Sequence, residues 1–180
     1  MRCIVKKFVF LFLLISFLFQ PVFAANGFTK FIKMYPTHKL ECLSGLHDDK
    51  FDFHFQNEKQ TMDFSIYNKT QDSYMILWDR VAFIDVNGYT HRVIHNGVKF
   101  AEKSNQQVPS ILPPNGKIQD SLIPVDNIVW ATNHWLLQPL LGVGNWENIE
   151  GKQFTINIPL QLDNQIHTYT FTFKVLKCLD

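Results

Sequence analysis

Two histidines stand four residues apart, at His91 and His95, a spacing that binds zinc when both lie on one face of a helix. The surrounding residues predict a strand instead, in which positions four apart are separated by roughly 13 Å. The two rings cannot share a metal ion without a sharp bend, so we predict no metal site there. The run His47-Asp48-Asp49 could touch a cation, but we interpret it as a solvated turn.

No catalytic motif is found elsewhere in the sequence. There is no Gly-x-Ser-x-Gly elbow, His-Glu-x-x-His pair, phosphate-binding glycine loop or Cys-x-x-Cys. Asp79, Asp85 and Asp126 fall in separate predicted turns, and the sequence does not show which acids converge. We therefore predict no catalytic residue, metal or cofactor. A hydrolase or small-ligand site built from distant loops stays open as an alternative.

The segment 127–151 is the strongest candidate for a binding surface. It holds three of the four tryptophans of the chain together with a run of leucines, outside any clear strand pattern. Clustered Trp and Leu are typical of protein interfaces. The predicted partner-binding residues are Trp130, Trp135, Leu136, Leu140 and Trp146. Two interpretations stay open: an exposed patch for a protein partner or a membrane surface, or a lid folded over one end of the domain.

The first 24 residues have the three parts of a secretory signal peptide. Arg2, Lys6 and Lys7 precede an apolar run of 12 residues, 8–19, which is interrupted only by one serine. That run is too short for a membrane core that needs about 20 residues. Val22-Phe23-Ala24 then provides an exit site, so we predict cleavage after Ala24. An uncleaved anchor is the alternative. A lipid anchor is not expected, since no cysteine follows the apolar run closely.

Removal of the signal peptide leaves two cysteines, Cys42 and Cys178, near the two ends of the mature chain. An oxidising compartment favours a disulfide between them; two buried free thiols are the alternative. The precursor has 17 basic and 16 acidic residues. The signal peptide takes three of the basic residues, which leaves a slightly acidic chain with no basic patch for nucleic acid.

Alternation of apolar and polar residues predicts an antiparallel, all-β fold. The pattern predicts eight or nine strands with no amphipathic helix longer than two turns, which favours a β-sandwich of one domain over residues 38–180, after a mobile lead at 25–37. Two-residue cues such as Asn87-Gly88 and Asp163-Asn164 predict hairpins. The polar, proline-rich stretch 101–117 is predicted to lie outside any central ladder. The predicted strands are 51–55, 62–66, 74–78, 82–84, 89–94, 118–125, 154–158 and 169–175, with Cys42 in a further strand-like segment.

Several short motifs resemble a group of bacterial exported proteins of unknown function. They are Ile76-Leu77-Trp78-Asp79, Phe83-Ile84-Asp85, the stretch from His91 to Phe100, and Leu112-Pro113-Pro114, within residues 60–125. Members of that group are often lipoproteins, and this chain lacks the lipid-accepting cysteine. More broadly the chain resembles immunoglobulin-like modules of the bacterial envelope. The resemblance implies a periplasmic or secreted location and no known activity.

These observations favour a non-enzymatic, immunoglobulin-like β-sandwich that binds a protein partner in the cell envelope, as an accessory subunit of an envelope or secretion-system assembly. A flat apolar patch would favour this hypothesis. A concave pocket with converging histidine and acidic side chains would favour a hydrolase or a ligand-binding protein. The oligomeric state is not indicated by the sequence.

Overall fold

The computed structural model describes residues 47–142 and 148–176, together with the backbone of 39–42. Within these residues the chain is all-β, and every strand pair is antiparallel. No helix among them has the length and apolarity needed to cross a membrane. The strands are β1 (Lys39–Cys42), β2 (Phe51–Asn57), β3 (Met62–Asn68), β4 (Tyr74–Ile76), β5 (Ala82–Ile84), β6 (Thr90–His95), β7 (Ser110–Leu112), β8 (Lys117–Pro124), β9 (Ile128–Ala131), β10 (His134–Leu137), β11 (Gln153–Leu162) and β12 (Gln165–Leu176).

The predicted hairpins are confirmed where the alternation is regular. In β2, Phe51 and Phe53 are buried, whereas Asp52 and His54 are exposed. This strand pairs with β3 over its whole length. The β5–β6 and β11–β12 hairpins also form. Alternation has this effect because successive side chains of a strand point to opposite faces, so only one register buries every apolar residue.

The strands follow one continuous path, in the order β1-β12-β11-β5-β6-β8-β3-β2. Strand β6 changes neighbours along its length: its first half pairs with β5 and its second half with β8. The path thereby folds back, so that β2 and β12 face each other across the core. Their rings meet there, with centroids 4.7 Å apart for Phe53 and Phe171 and 5.2 Å apart for Phe55 and Phe173. The result is a β-sandwich-like, two-layered arrangement.

Trp78 and Asn68 are buried between the layers with hydrogen-bond partners, whereas Asn157 Oδ1 is a buried side-chain atom that has no partner among the described residues. Trp78 is fully buried, and its indole N–H donates to the Ser110 hydroxyl at 2.8 Å. Buried Asn68 donates to the carbonyls of Asp72 and Pro113. Such pairing is favoured because an unpaired buried polar group costs about 1–3 kcal/mol.

Three parts of the chain differ from the predicted strands. The expected strand at 74–78 ends after three residues, and a 3-10 turn begins at Trp78. The proline-rich stretch contains the short strand β7, which pairs with β4. The segment 127–151 contains β9 and β10 rather than an irregular loop. The predicted signal peptide, the lead segment 25–37 and Cys178 lie outside the described residues.

Candidate functional site

The β9–β10 hairpin is the central feature of the segment that the sequence singled out. Its four residue pairs run from Ile128 opposite Leu137 to Ala131 opposite His134. Thr132 and Asn133 form the turn, and both have positive φ angles, of 51° and 62°. A two-residue turn of this kind matches the right-handed twist of a tight hairpin. The hairpin forms its own two-stranded sheet, separate from the main path of strands.

The base of the hairpin is packed against the rest of the domain. Ile128 is buried with Ile94 and Ile123 in a second apolar cluster, which Trp135 and Leu137 partly cover. Further along the segment, Leu140 is only 4% exposed and belongs to the main core. Burial at both ends gives the hairpin a defined position relative to the strands beneath it.

Polar contacts fix the same segment to its neighbours. Gln60 Nε2 donates to the carbonyl of Leu137 at 2.7 Å, and the backbone N–H of Leu140 donates to the carbonyl of Lys59 at 3.0 Å. Asn127 Nδ2 donates to the carbonyl of Pro139 at 3.0 Å. These bonds satisfy backbone groups that would otherwise have to be solvated.

Lys103 lies beneath the hairpin. Its ammonium group donates to the carbonyls of Val125 and Ile128 and lies 5.9 Å from the centre of the Trp135 ring. This geometry permits a cation–π interaction. The Lys103 ammonium group thereby contacts both the start of β9 and the Trp135 ring in β10.

Trp130 lies opposite Trp135 on the hairpin and is 58% exposed. The two rings form an edge-to-face pair with centroids 5.1 Å apart. Trp135 also contacts Phe100, at 6.4 Å between centroids. An exposed indole is therefore held against a second indole that is itself fixed to the domain.

The predicted partner-binding residues have three different environments. Trp130 is exposed, Trp135 and Leu136 are partly buried, and Leu140 is buried in the core. Trp146 lies outside the described residues. The structure brings Trp130 and Trp135 together, while Leu140 supports the segment from below. The segment thus combines features of both sequence interpretations, with a covering base and an exposed tip.

His91 lies between two carboxylates that sequence reasoning did not connect. Its Nδ1 is 2.6 Å from Asp126 Oδ2, and its Nε2 is 3.3 Å from Asp85 Oδ2. Partial burial opposes protonation, but the hydrogen bonds to Asp126 and Asp85 and their charges prevail and raise the pKa of His91 above its ordinary value of 6.5. We call this arrangement the Asp-His-Asp clamp. It ties the turn after β5 to the residues that lead into β9.

His95, on the same strand, has a separate partner. Its Nδ1 is 3.1 Å from Asp120 Oδ2, and its ring stacks on Trp78 with centroids 4.2 Å apart. Among the described residues, no group of three or more His, Cys, Asp or Glu side chains is arranged to hold a metal ion. The two histidines therefore contact different carboxylates: His91 contacts Asp85 and Asp126, and His95 contacts Asp120.

In the His47-Asp48-Asp49 run, Asp48 and Asp49 line a surface depression. Asp48 Oδ1 accepts the backbone N–H groups of Lys50 and Phe51, and its Oδ2 accepts the Tyr169 hydroxyl at 3.0 Å. Burial opposes ionisation, but these hydrogen bonds and Lys69 lower the pKa of Asp48. Both oxygens of the Asp48 carboxylate therefore accept hydrogen bonds, and those from Lys50 and Phe51 stabilise the turn. The second depression lies on the outer face of β2, β3 and β8.

Comparison with known proteins gives no independent assignment. No family model matches the chain, and neither a curated protein nor a solved structure matches it.

Proposed function

We propose that this chain is an exported, immunoglobulin-like β-sandwich without enzymatic activity, which binds a protein of the bacterial cell envelope through the β9–β10 hairpin. It would serve as an accessory subunit of an envelope or secretion-system assembly. One observation carries the binding role: Trp130 is 58% exposed on a hairpin whose base is fixed to the domain.

A fixed, exposed tryptophan is suited to binding because little freedom remains to be lost on association. Ordering a mobile side chain costs about 0.5–1.5 kcal/mol, and the contact with Trp135 has already restrained Trp130. Burial of one such aromatic in an interface can contribute about 2 kcal/mol or more. Trp130 is therefore the expected anchor of the interface.

The envelope location rests on the sequence. The basic start, the 12-residue apolar run and the Val22-Phe23-Ala24 exit site support export. The two-layered antiparallel architecture supports the immunoglobulin-like assignment, since such modules are antiparallel sandwiches. The resemblance to exported proteins points in the same direction.

The hydrolase alternative is less well supported by the Asp-His-Asp clamp. A general base needs a ring nitrogen that can take a proton from substrate. Both ring nitrogens of His91 face carboxylates, and His91 lines neither of the two described depressions. The clamp is better suited to holding backbone segments together than to proton transfer.

Crosslinking in intact bacteria tests the proposal. We expect a photo-crosslinker placed at Asn133 in the hairpin turn to capture one envelope protein, and Trp130→Ser to reduce that capture at least tenfold, because a contribution of about 1.4 kcal/mol is a factor of ten. The melting temperature should change little. The intact mass of this protein, purified from the same cells without crosslinking, should correspond to a start at Ala25.

Val108→Ser is the matched control. Val108 is 81% exposed, in the loop before β7, so its replacement should leave capture unchanged. Equal capture by the wild-type chain and Trp130→Ser would contradict the proposal. Flotation of the purified chain with protein-free anionic liposomes would assign the hairpin to a membrane surface instead.

A further inference from the structure

The depression on the outer face of β2, β3 and β8 is lined by a regular array of polar side chains. The strand register sets them in two rows: His54 beside Ser65 and Gln119, and Gln56 beside Asp63 and Ser121. The depression has a volume of about 250 Å³, and Asn96 and Asp120 also line it. This surface is separate from the hairpin and from the Asp-His-Asp clamp.

Ser65 lies in the floor of this depression. The residue as a whole is only 6% exposed, but its hydroxyl is not closed off from solvent, because the one buried side-chain polar atom without a partner among the described residues is Asn157 Oδ1. Within the same residues the Ser65 hydroxyl makes no hydrogen bond to another protein group, and Ser65 lines the depression. It is therefore available to donate to and accept from a ligand that enters from solvent.

The charges around Ser65 disfavour an ionic ligand. The nine lining residues include no lysine or arginine, the side chains that most often recognise anions, and His54 is the one lining side chain that can carry a positive charge. Asp120 is already occupied, since it accepts from His95 and from the backbone N–H groups of Asn96 and Ser121. Asp63 accepts the Thr61 hydroxyl at 3.0 Å. Of the two carboxylates only Asp63 Oδ2 is left for a cation, whereas Ca²⁺ takes six to eight oxygen ligands.

The remaining polar groups are hydroxyls, planar amides and the imidazole of His54, and Phe64 is the apolar lining residue. The Gln56 amide already donates to Glu58. Ser65 and Ser121 can each donate and accept, and the amides of Gln119 and Asn96 present a donor and an acceptor side by side. Such groups pair with adjacent hydroxyls, each of which is also both donor and acceptor. A volume of about 250 Å³ lies below the roughly 300–1,000 Å³ of sites for drug-sized molecules, which suits a single small ring.

We propose that this depression binds one residue of a neutral sugar, with Ser65 at its floor and Gln119 at its wall. The sugar can come from a free monosaccharide or from a unit within a polysaccharide. The inference is independent of the hairpin proposal, because the two surfaces share no residue.

Titration of the ¹⁵N-labelled full chain tests this inference. The probes are N-acetylglucosamine, its β-1,4-linked tetramer, maltotetraose, calcium chloride and sodium phosphate. We expect at least one sugar to shift the backbone amides of β2, β3 and β8 and the side-chain amide of Gln119. Tighter binding of a tetramer than of the monosaccharide would assign the site to polysaccharide, and equal binding to free sugar.

Two variants and one control make the result specific. Ser65→Val removes the hydroxyl but keeps a side chain suited to a strand, and should weaken sugar binding about tenfold, the usual worth of one hydrogen bond. Gln119→Ala changes an exposed position, so it should weaken binding without affecting folding. Gln153→Ala replaces an exposed glutamine on β11 and should have no effect. No shift with any sugar at millimolar concentration, or a response to calcium or phosphate alone, would overturn the inference.

Discussion

His91 shows how a single side chain can join segments that are distant in the sequence. Asp85 follows β5, Asp126 precedes β9, and the histidine on β6 contacts both. Burial opposes the ionisation of Asp85, but the N–H groups of Tyr89 and Asn87 and the His91 ring lower the pKa of this carboxyl. The clamp is therefore strongest when the histidine is protonated and both acids are ionised.

We predict that the stabilisation by His91 depends on pH. Because its folded-state pKa is raised above the ordinary value of 6.5, its contribution is fully present below about 6.5 and is lost as pH rises through the folded pKa. The opposite holds for Asp85, whose lowered pKa makes its contribution disappear as pH falls through that pKa. Melting temperatures of the wild type and His91→Gln should differ most near pH 5–6 and least near pH 9.

His47→Gln is the control for this measurement. His47 is exposed and outside the clamp, so its replacement should give a melting temperature that runs parallel to the wild type at every pH. A constant difference between His91→Gln and the wild type from pH 5 to pH 9 would show that protonation of His91 does not stabilise the fold.

The β9–β10 hairpin contains residues whose roles can be separated by substitution. Trp135 packs on the second apolar cluster, and the Lys103 ammonium group lies near the Trp135 ring. Trp130, in contrast, is mostly exposed. The two tryptophans are similar in chemistry and adjacent in space, so they form a matched pair for measuring what each contributes to folding.

Trp135→Ser is expected to lower the free energy of unfolding by about 1–3 kcal/mol, less than the roughly 3–5 kcal/mol for a fully buried aromatic. Trp130→Ser should change it by no more than about 0.5 kcal/mol. Urea unfolding followed by circular dichroism measures both, and the slope of the transition should stay constant. Equal losses for the two variants would show that the exposed tip also supports the fold.

The sequence predicted the long strands better than the short ones. In β2 and β12 the alternating phenylalanines specify one buried face, so the pattern alone defines the strand. The hairpin residues Ile128 to Leu137 are apolar on both faces, and their Thr132-Asn133 turn lacks the usual glycine. Strand β7 is short and flanked by prolines. Local sequence therefore gave no clear periodicity in either place.

The candidate sites depended on tertiary structure even more strongly. Trp130 and Trp135 were identifiable by residue type, but which of them is exposed depends on how the hairpin packs. The contacts of His91 with Asp85 and Asp126 follow from the pairing of β5, β6 and β8, which places two distant turns together. The polar array around Ser65 follows from the register of three strands, two of which are far apart in the chain.

At the level of the whole molecule, β1 and β12 bring the two ends of the domain together. Cys42 lies opposite Phe173 in this pair, five residues before Cys178 in the chain. Cys178 lies outside the described residues, so the register of this pair does not test a bond between the two cysteines. We predict a Cys42–Cys178 disulfide. In the chain-entropy model a loop of this length contributes about 5 kcal/mol, although measured values are often smaller.

Peptide mapping after alkylation without reductant should recover the two cysteines as one linked peptide. Reduction should lower the melting temperature, and Cys42→Ser and Cys178→Ser should each have the same effect as the reductant, because each removes the same constraint on the unfolded chain. Complete alkylation of both thiols without reductant would contradict the prediction.

The position of β11 in the sheet also determines when the domain can fold. This strand pairs with β12, β4 and β5, and β12 pairs with β1. Strands β1, β4 and β5 are therefore synthesised well before the strands β11 and β12 with which they pair. Pairing over such sequence separations is slow, typically milliseconds to seconds. A ribosome adds roughly 5–20 residues per second, so the chain spends several seconds without β11, the strand that joins β12 to β4 and β5. A nascent chain that cannot yet complete its sheet stays unfolded and able to pass through a membrane channel. It would need protection from aggregation until β11 and β12 are complete.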